Sequence, residues 1–104
     1  MLYIIYQEDV ADSAALRAVH KAAHFAYLEA HRDILVLGGA LLADEDATRT
    51  GSVLIINVPN RAAAEEFSAH EPLRSAGVFR SVKITRMRRG QWNPDAAPAS
   101  AEGN

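Results

Sequence analysis

Four histidines and no cysteine define the side-chain chemistry open to this chain. His20, His24 and His31 recur along LRAVHKAAHFAYLEAH, which begins at Leu16, and His70 stands immediately before Glu71 and Pro72. A histidine changes charge near neutral pH and can accept and return a proton in one cycle, provided a carboxylate or carbonyl fixes its tautomer. Glu71, at the end of a second helical segment, can meet His24 if both helices lie on one face of a sheet. The alternative is an exposed Glu71 and a His24 held by a backbone carbonyl. Acid–base catalysis by His24 with Glu71 is the first chemistry to test. Arg17, Ser52 and His20 are the groups expected to hold an anionic or phenolic ligand beside it. His20 and His24 are spaced i, i+4, which suits a divalent metal only with a third ligand from elsewhere. No HExxH accompanies them, and no metal site is expected. Serines lack a GxSxG turn, and GxGxxG and GxxxxGK[ST] loops are absent, so neither a hydrolase elbow nor a nucleotide cofactor is indicated.

The elements that must position these groups follow from periodicity. On a helix, at about 100° per residue, Arg17, His20, His24, Tyr27, Leu28 and His31 share one stripe. Leu16, Val19, Ala23, Ala26 and Ala30 form the adjoining apolar stripe, expected to lie against the sheet. Asp12 or Ser13 is placed to cap the helix, which should end near His31 or Arg32. Upstream, Leu2 to Gln7 reads as a strand apolar on both faces, hence central. Downstream, ILVLGGALL from Ile34 is a strand with two glycines inside it, expected to mark a bulge at a sheet edge. Gly39 is also expected to leave room beside His24. After the polar turn DEDATRT, Gly51 opens a second two-sided apolar strand, Ser52 to Val58. Asn60 should cap the helix RAAAEEFSAH, Pro72 should end it, and Leu73 to Gly77 fits one more turn closed by glycine. Phe79 to Met87 reads as an edge strand.

The order β-α-β-β-α-β predicts an α+β, ferredoxin-like fold: a four-stranded antiparallel sheet of order 4-1-3-2 with both helices on one face. The two strands read as central by composition are the central ones in that order. The opposite sheet face has nothing in the chain to cover it, which predicts a homodimer packed sheet to sheet, with Tyr3 and Ile5 or their neighbours at the seam. Residues 1–92 are expected to form the domain and 93–104, NPDAAPASAEGN, a flexible tail. The net charge of −2 excludes the strongly basic footprint of a nucleic-acid binder, and Arg86, Arg88 and Arg89 read as a solvated strand end. The N-terminus lacks a basic leader and a membrane-length apolar run, so a cytoplasmic protein is expected.

Arg17 and His24, followed by GGALL, then Gly51-Ser52 opening a strand, EPLRSAGVF and SVKITRM, resemble the YCII-related (YciI-like) domain over residues 1–92. The resemblance implies a dimeric α+β barrel and an active site built around a histidine and an aspartate. One member acts as a dehydrochlorinase on a chlorinated hydroxyquinol, which implies lyase-type proton chemistry on a small ring. The family histidine falls on His24 and its arginine on Arg17. The family's aspartate-proline falls on Glu71-Pro72, where this chain is one methylene longer.

Overall fold

The computed structural model describes residues 1–103. Four strands, β1 (Leu2–Asp9), β2 (Leu35–Leu42), β3 (Arg49–Asn57) and β4 (Phe79–Met87), form one antiparallel sheet in the order β2-β3-β1-β4. Helices α1 (Ala14–Ala30), α2 (Arg61–His70) and the single turn α3 (Pro72–Ser75) complete the domain, which has the expected order and class. Beyond Met87 the chain carries a 3-10 turn, Pro94–Ala96, and an isolated bridge from Ser100 to Gly103.

Alternation along the central strands sets the core. Tyr3, Ile5 and Gln7 of β1 pair with Ile56, Leu54 and Ser52 of β3, and all six are buried on the helical face. Ala64 and Phe67 of α2 pack onto them, with Tyr27 and Leu28 of α1 beside. Tyr3 and Ile5 are therefore core residues, and the expectation that they form an intersubunit seam is corrected. Their neighbours Ile4 and Tyr6 occupy the opposite face, with Val53 and Ile55. Strand parity could not assign the faces because both sides of β1 are apolar.

Helix α1 reverses the expected assignment of its stripes. Val19 is 76% exposed and Ala23, Ala26 and Ala30 are solvent-facing, while Arg17, His20, His24, Tyr27, Leu28 and His31 turn inward. The inward stripe fixes itself by directed contacts. Arg17 reaches Asp9, His24 reaches Glu71, and Tyr27 donates to the Phe67 carbonyl at 2.8 Å. Alanine has little surface to gain by burial, so a stripe of alanines competes poorly with these longer side chains.

Local chemistry at the element ends is mixed. Ser13 stands at the N-cap position of α1, but its hydroxyl donates to Asp9 instead of capping, and Asp12 adopts the left-handed region at φ 57°. Asn60 does cap α2, accepting from the Ala63 N–H at 2.9 Å. Asn60→Ala should lower stability by about 1 kcal/mol, read from the urea midpoint at unchanged slope. Gly77 closes the α3 turn at φ +83°.

The two β2 glycines do not form the bulge. Register shifts fall between Leu35 and Leu37 and between Leu41 and Leu42, on either side of them. Gly38 pairs with Leu54 on the helical face, where a Cβ would lie 2.9 Å from the Leu54 side chain. Gly39 pairs with Val53 on the open face, with nothing within 4 Å of its Cβ position. The expectation that Gly39 makes room beside His24 is corrected for this reason: the sheet lies between them.

Candidate active site

Glu71 joins α2 to α3 in extended backbone, at φ −65° and ψ 126°, with Pro72 fixing the first position of the next turn. One carboxylate oxygen, Oε2, accepts the Arg74 N–H at 3.3 Å and so caps α3. The other, Oε1, lies 2.5 Å from His24 Nδ1. Glu71 is 1% exposed, and the His24 side chain 14%. Sequence spacing left two arrangements open, and the structure has the converging one. A single carboxylate thus serves as helix cap and histidine partner together.

An ionised carboxylate can only accept hydrogen bonds, so Nδ1 carries a proton, and in the neutral ring Nε2 keeps its lone pair. Nε2 has no protein partner among the described residues. The arrangement can take a proton from a bound molecule at Nε2 and return it, with Glu71 holding the ring and offsetting the charge that develops. Arg74 holds Glu71 through its backbone N–H, while its guanidinium donates to the buried Ser68 hydroxyl at 2.6 Å.

Arg17 lies two helical turns before His24 on the same stripe, about 10 Å along the axis, with the half-buried His20 between them. Arg17 Nη2 donates to Asp9 at 2.6 Å, and its guanidinium lies 5.7 Å from the centre of the Phe79 ring. Nη1 is the one buried side-chain polar atom without a partner among the described residues. An unmet donor on a charged group is costly, and a ligand oxygen reaching it would relieve that cost. The Arg49 guanidinium is held below its ordinary range, first by burial and then by the positive charge of Arg17, with Asp9 opposing. Ser52 is 7% exposed and its Oγ accepts from Gln7 Nε2 at 2.9 Å, leaving its own proton for another acceptor.

Of the residues expected at the site, Arg17, His20, His24 and Glu71 share the inward stripe of α1 and the junction facing it. Ser52 lies beneath the helices in the sheet, and Gly39 is on the other face. Asp9, Arg49 and Arg74 were missed. A buried arginine demands a carboxylate, and Glu-Pro-x-Arg has the form of a cap followed by proline at the first helical position, so Asp9 and Arg74 left faint traces. Two cavities lie elsewhere on the domain, with linings that do not include His24. One, about 380 Å³, lies between the C-terminal end of α1 and the flank of α2, and the other, about 540 Å³, lies where β1 meets α1 and includes Asp9, Ser13 and Arg49.

The profile of the YCII-related domain matches residues 1–88. The chain belongs to the YCII-related family. Among curated relatives, Protein YciI of Escherichia coli is 33% identical over 91 residues, covering 81% of this chain and 93% of that protein. An uncharacterized protein of Haemophilus influenzae is 29% identical over the same length and coverage. Among solved structures, this YCII-related chain is similar to the 5-chloro-2-hydroxyhydroquinone dehydrochlorinase TftG of Burkholderia phenoliruptrix, in complex with 2,5-dihydroxybenzoquinone. The TM-score is 0.80 at 32% identity, over 86% of this chain and 96% of that one. An antibiotic biosynthesis monooxygenase matches at TM-score 0.52 and 18% identity, over 88% of this chain and all of that one, a likeness of fold alone. No helix among the described residues is long and apolar enough to cross a membrane.

Proposed function

We propose that this YCII-related chain is a small-molecule enzyme of the lyase or isomerase type, acting on a hydroxylated ring. The contact that carries the reading is His24 Nδ1 to Glu71 Oε1 at 2.5 Å, with Nε2 left free. In this reading Nε2 takes a proton from a ring hydroxyl or ring carbon. The electron pair released either expels a leaving group such as chloride or relocates the double bond, and Glu71 orients the imidazole throughout. Arg17, with Nη1 unsatisfied, holds an ionised ring oxygen, and His20 and Ser52 line the approach. The likeness to a dehydrochlorinase over 86% of the chain supports the choice of substrate class.

The working unit in this proposal is a cytoplasmic homodimer, joined across the open sheet face that carries Ile4, Tyr6, Val53 and Ile55. A second reading, a non-catalytic module that binds a small ligand, draws on the two cavities whose linings do not include His24. The readings separate in a thermal-shift screen of small phenols and lactones against the parent protein and His24→Ala. The enzyme reading expects stabilisation by hydroxylated rings in the parent that shrinks in the variant. Equal shifts in both proteins remove His24 as a ligand contact.

A further inference from the structure

The cavity between the end of α1 and the flank of α2 is unlike the dyad in its chemistry. Tyr27 and His31 bound it from α1, Glu66, Phe67 and His70 from α2, and its volume is about 380 Å³. The rings of Tyr27 and Phe67 lie 5.3 Å apart, and His31 lies 4.1 Å from Tyr27 and 5.4 Å from Phe67. Ile34, Val58 and Ala63 supply its aliphatic side.

The polar groups have one character. His31 Nδ1 lies 2.8 Å from the Tyr27 carbonyl and His70 Nδ1 lies 2.9 Å from the Glu66 carbonyl. A carbonyl only accepts, so each Nδ1 carries the proton and each neutral ring is left with an accepting Nε2. The Tyr27 hydroxyl spends its proton on the Phe67 carbonyl. What remains toward the cavity is two imidazole lone pairs and the Glu66 carboxylate, all acceptors.

The electrostatic setting has the same sign. The C-terminal end of α1, the negative end of its dipole, opens here against the flank of α2, which runs antiparallel to it. The cations around it are already engaged: the N-terminal ammonium with the Val58 carbonyl at 2.8 Å and Asn57 Oδ1 at 3.1 Å, Arg32 with Glu29 at 3.6 Å, and Arg61 with Glu65 at 2.9 Å. Asp33, just past His31, adds a further negative charge. The Tyr27 phenol is held above its ordinary range, by burial first and then by Glu71 and Glu66.

We propose that this cavity is a second ligand site, separate from His24 and Glu71, for a small organic cation whose N–H groups meet Glu66, His31 and His70 while its apolar part lies against Tyr27 and Phe67. Aromatic faces attract an ammonium as well as an apolar group, so the walls and the rim favour the same molecule. The volume lies within the ordinary range for small-molecule sites.

Three probes with one ring and three charges test the site at pH 8: benzylammonium, benzyl alcohol and benzoate. Binding is followed by ¹H–¹⁵N NMR titration of the full chain. Benzylammonium should saturate with a Kd of about 1 mM or tighter, the order expected for a ligand of this size. Its shifts should centre on Ile34, Ala63, Phe67 and His70, and benzoate should bind at least about tenfold more weakly. Glu66→Gln, a change on an exposed helix position, should weaken benzylammonium by about fivefold or more while leaving the amide spectrum of the fold intact. Benzoate binding as well as benzylammonium overturns the proposal. So do shifts centred on His24 and Glu71, or an unchanged affinity in Glu66→Gln.

Discussion

In the proposed reaction, Glu71→Gln should lower the rate of chloride release from a chlorinated hydroxyquinol by about 10²- to 10⁴-fold, with little change in KM. The substitution keeps the shape of the side chain and an acceptor for the Arg74 N–H, so the α3 cap survives. It removes the charge that offsets the imidazolium and no longer enforces the proton on Nδ1, since an amide can donate to that nitrogen as well as accept from it. The predicted signature is a loss in kcat without a matching loss in binding, because Glu71 is buried behind His24 and meets the ring of the histidine, not the ligand. His24→Ala should abolish turnover to at least the same extent. It also leaves the Glu71 carboxylate buried without its partner, so its stability must be measured beside its rate. Chloride release by Glu71→Gln at the parental rate removes the dyad from the mechanism.

The largest effect on stability is expected at Gly51. A Cβ there would stand 2.0 Å from the Gln7 carbonyl oxygen, 3.0 Å from the Gln7 carbonyl carbon and 3.2 Å from Glu8 Cα. All three are backbone atoms of the central strand, so no side-chain rotation relieves the overlap. Gly51→Ala must push β3 away from β1 at the Glu8 pairing, next to the buried bond between Gln7 and Ser52. The expected cost is about 3 kcal/mol or more, at the upper end for overpacking. Thermal denaturation should show it as a fall in Tm of well over about 10 °C for a domain of this size. Gly90→Ala is the control: nothing lies within 4 Å of that Cβ position, and its stability should stay within about 0.5 kcal/mol of the parent. A Gly51→Ala protein as stable as the control contradicts the close approach of the two strands.

These two sites also divide what the chain shows in one dimension from what it shows in three. Hydrophobic alternation in Leu2–Gln7 and Ser52–Val58, helical spacing between them, and Asn60, Pro72 and Gly77 at the turns were enough for the element order and the sheet order. Those features act over a few residues, and the sequence displays them directly. The role of Gly51 was invisible, because the atom it avoids belongs to a strand 44 positions earlier.

The sequence by itself determined the fold class, the order of strands, and the candidate pair of a histidine and a carboxylate. Only the tertiary structure decided which stripe of α1 faces the sheet, which side of β1 is core, and whether Glu71 meets His24. The reason is common to all three. Each depends on a contact between elements far apart in the chain, and both sides of α1 and β1 carry enough apolar surface to satisfy a periodicity argument. Arg17 with Asp9, His24 with Glu71, and Tyr27 with the Phe67 carbonyl break that tie, and they do so only once the helix and its neighbours are folded together.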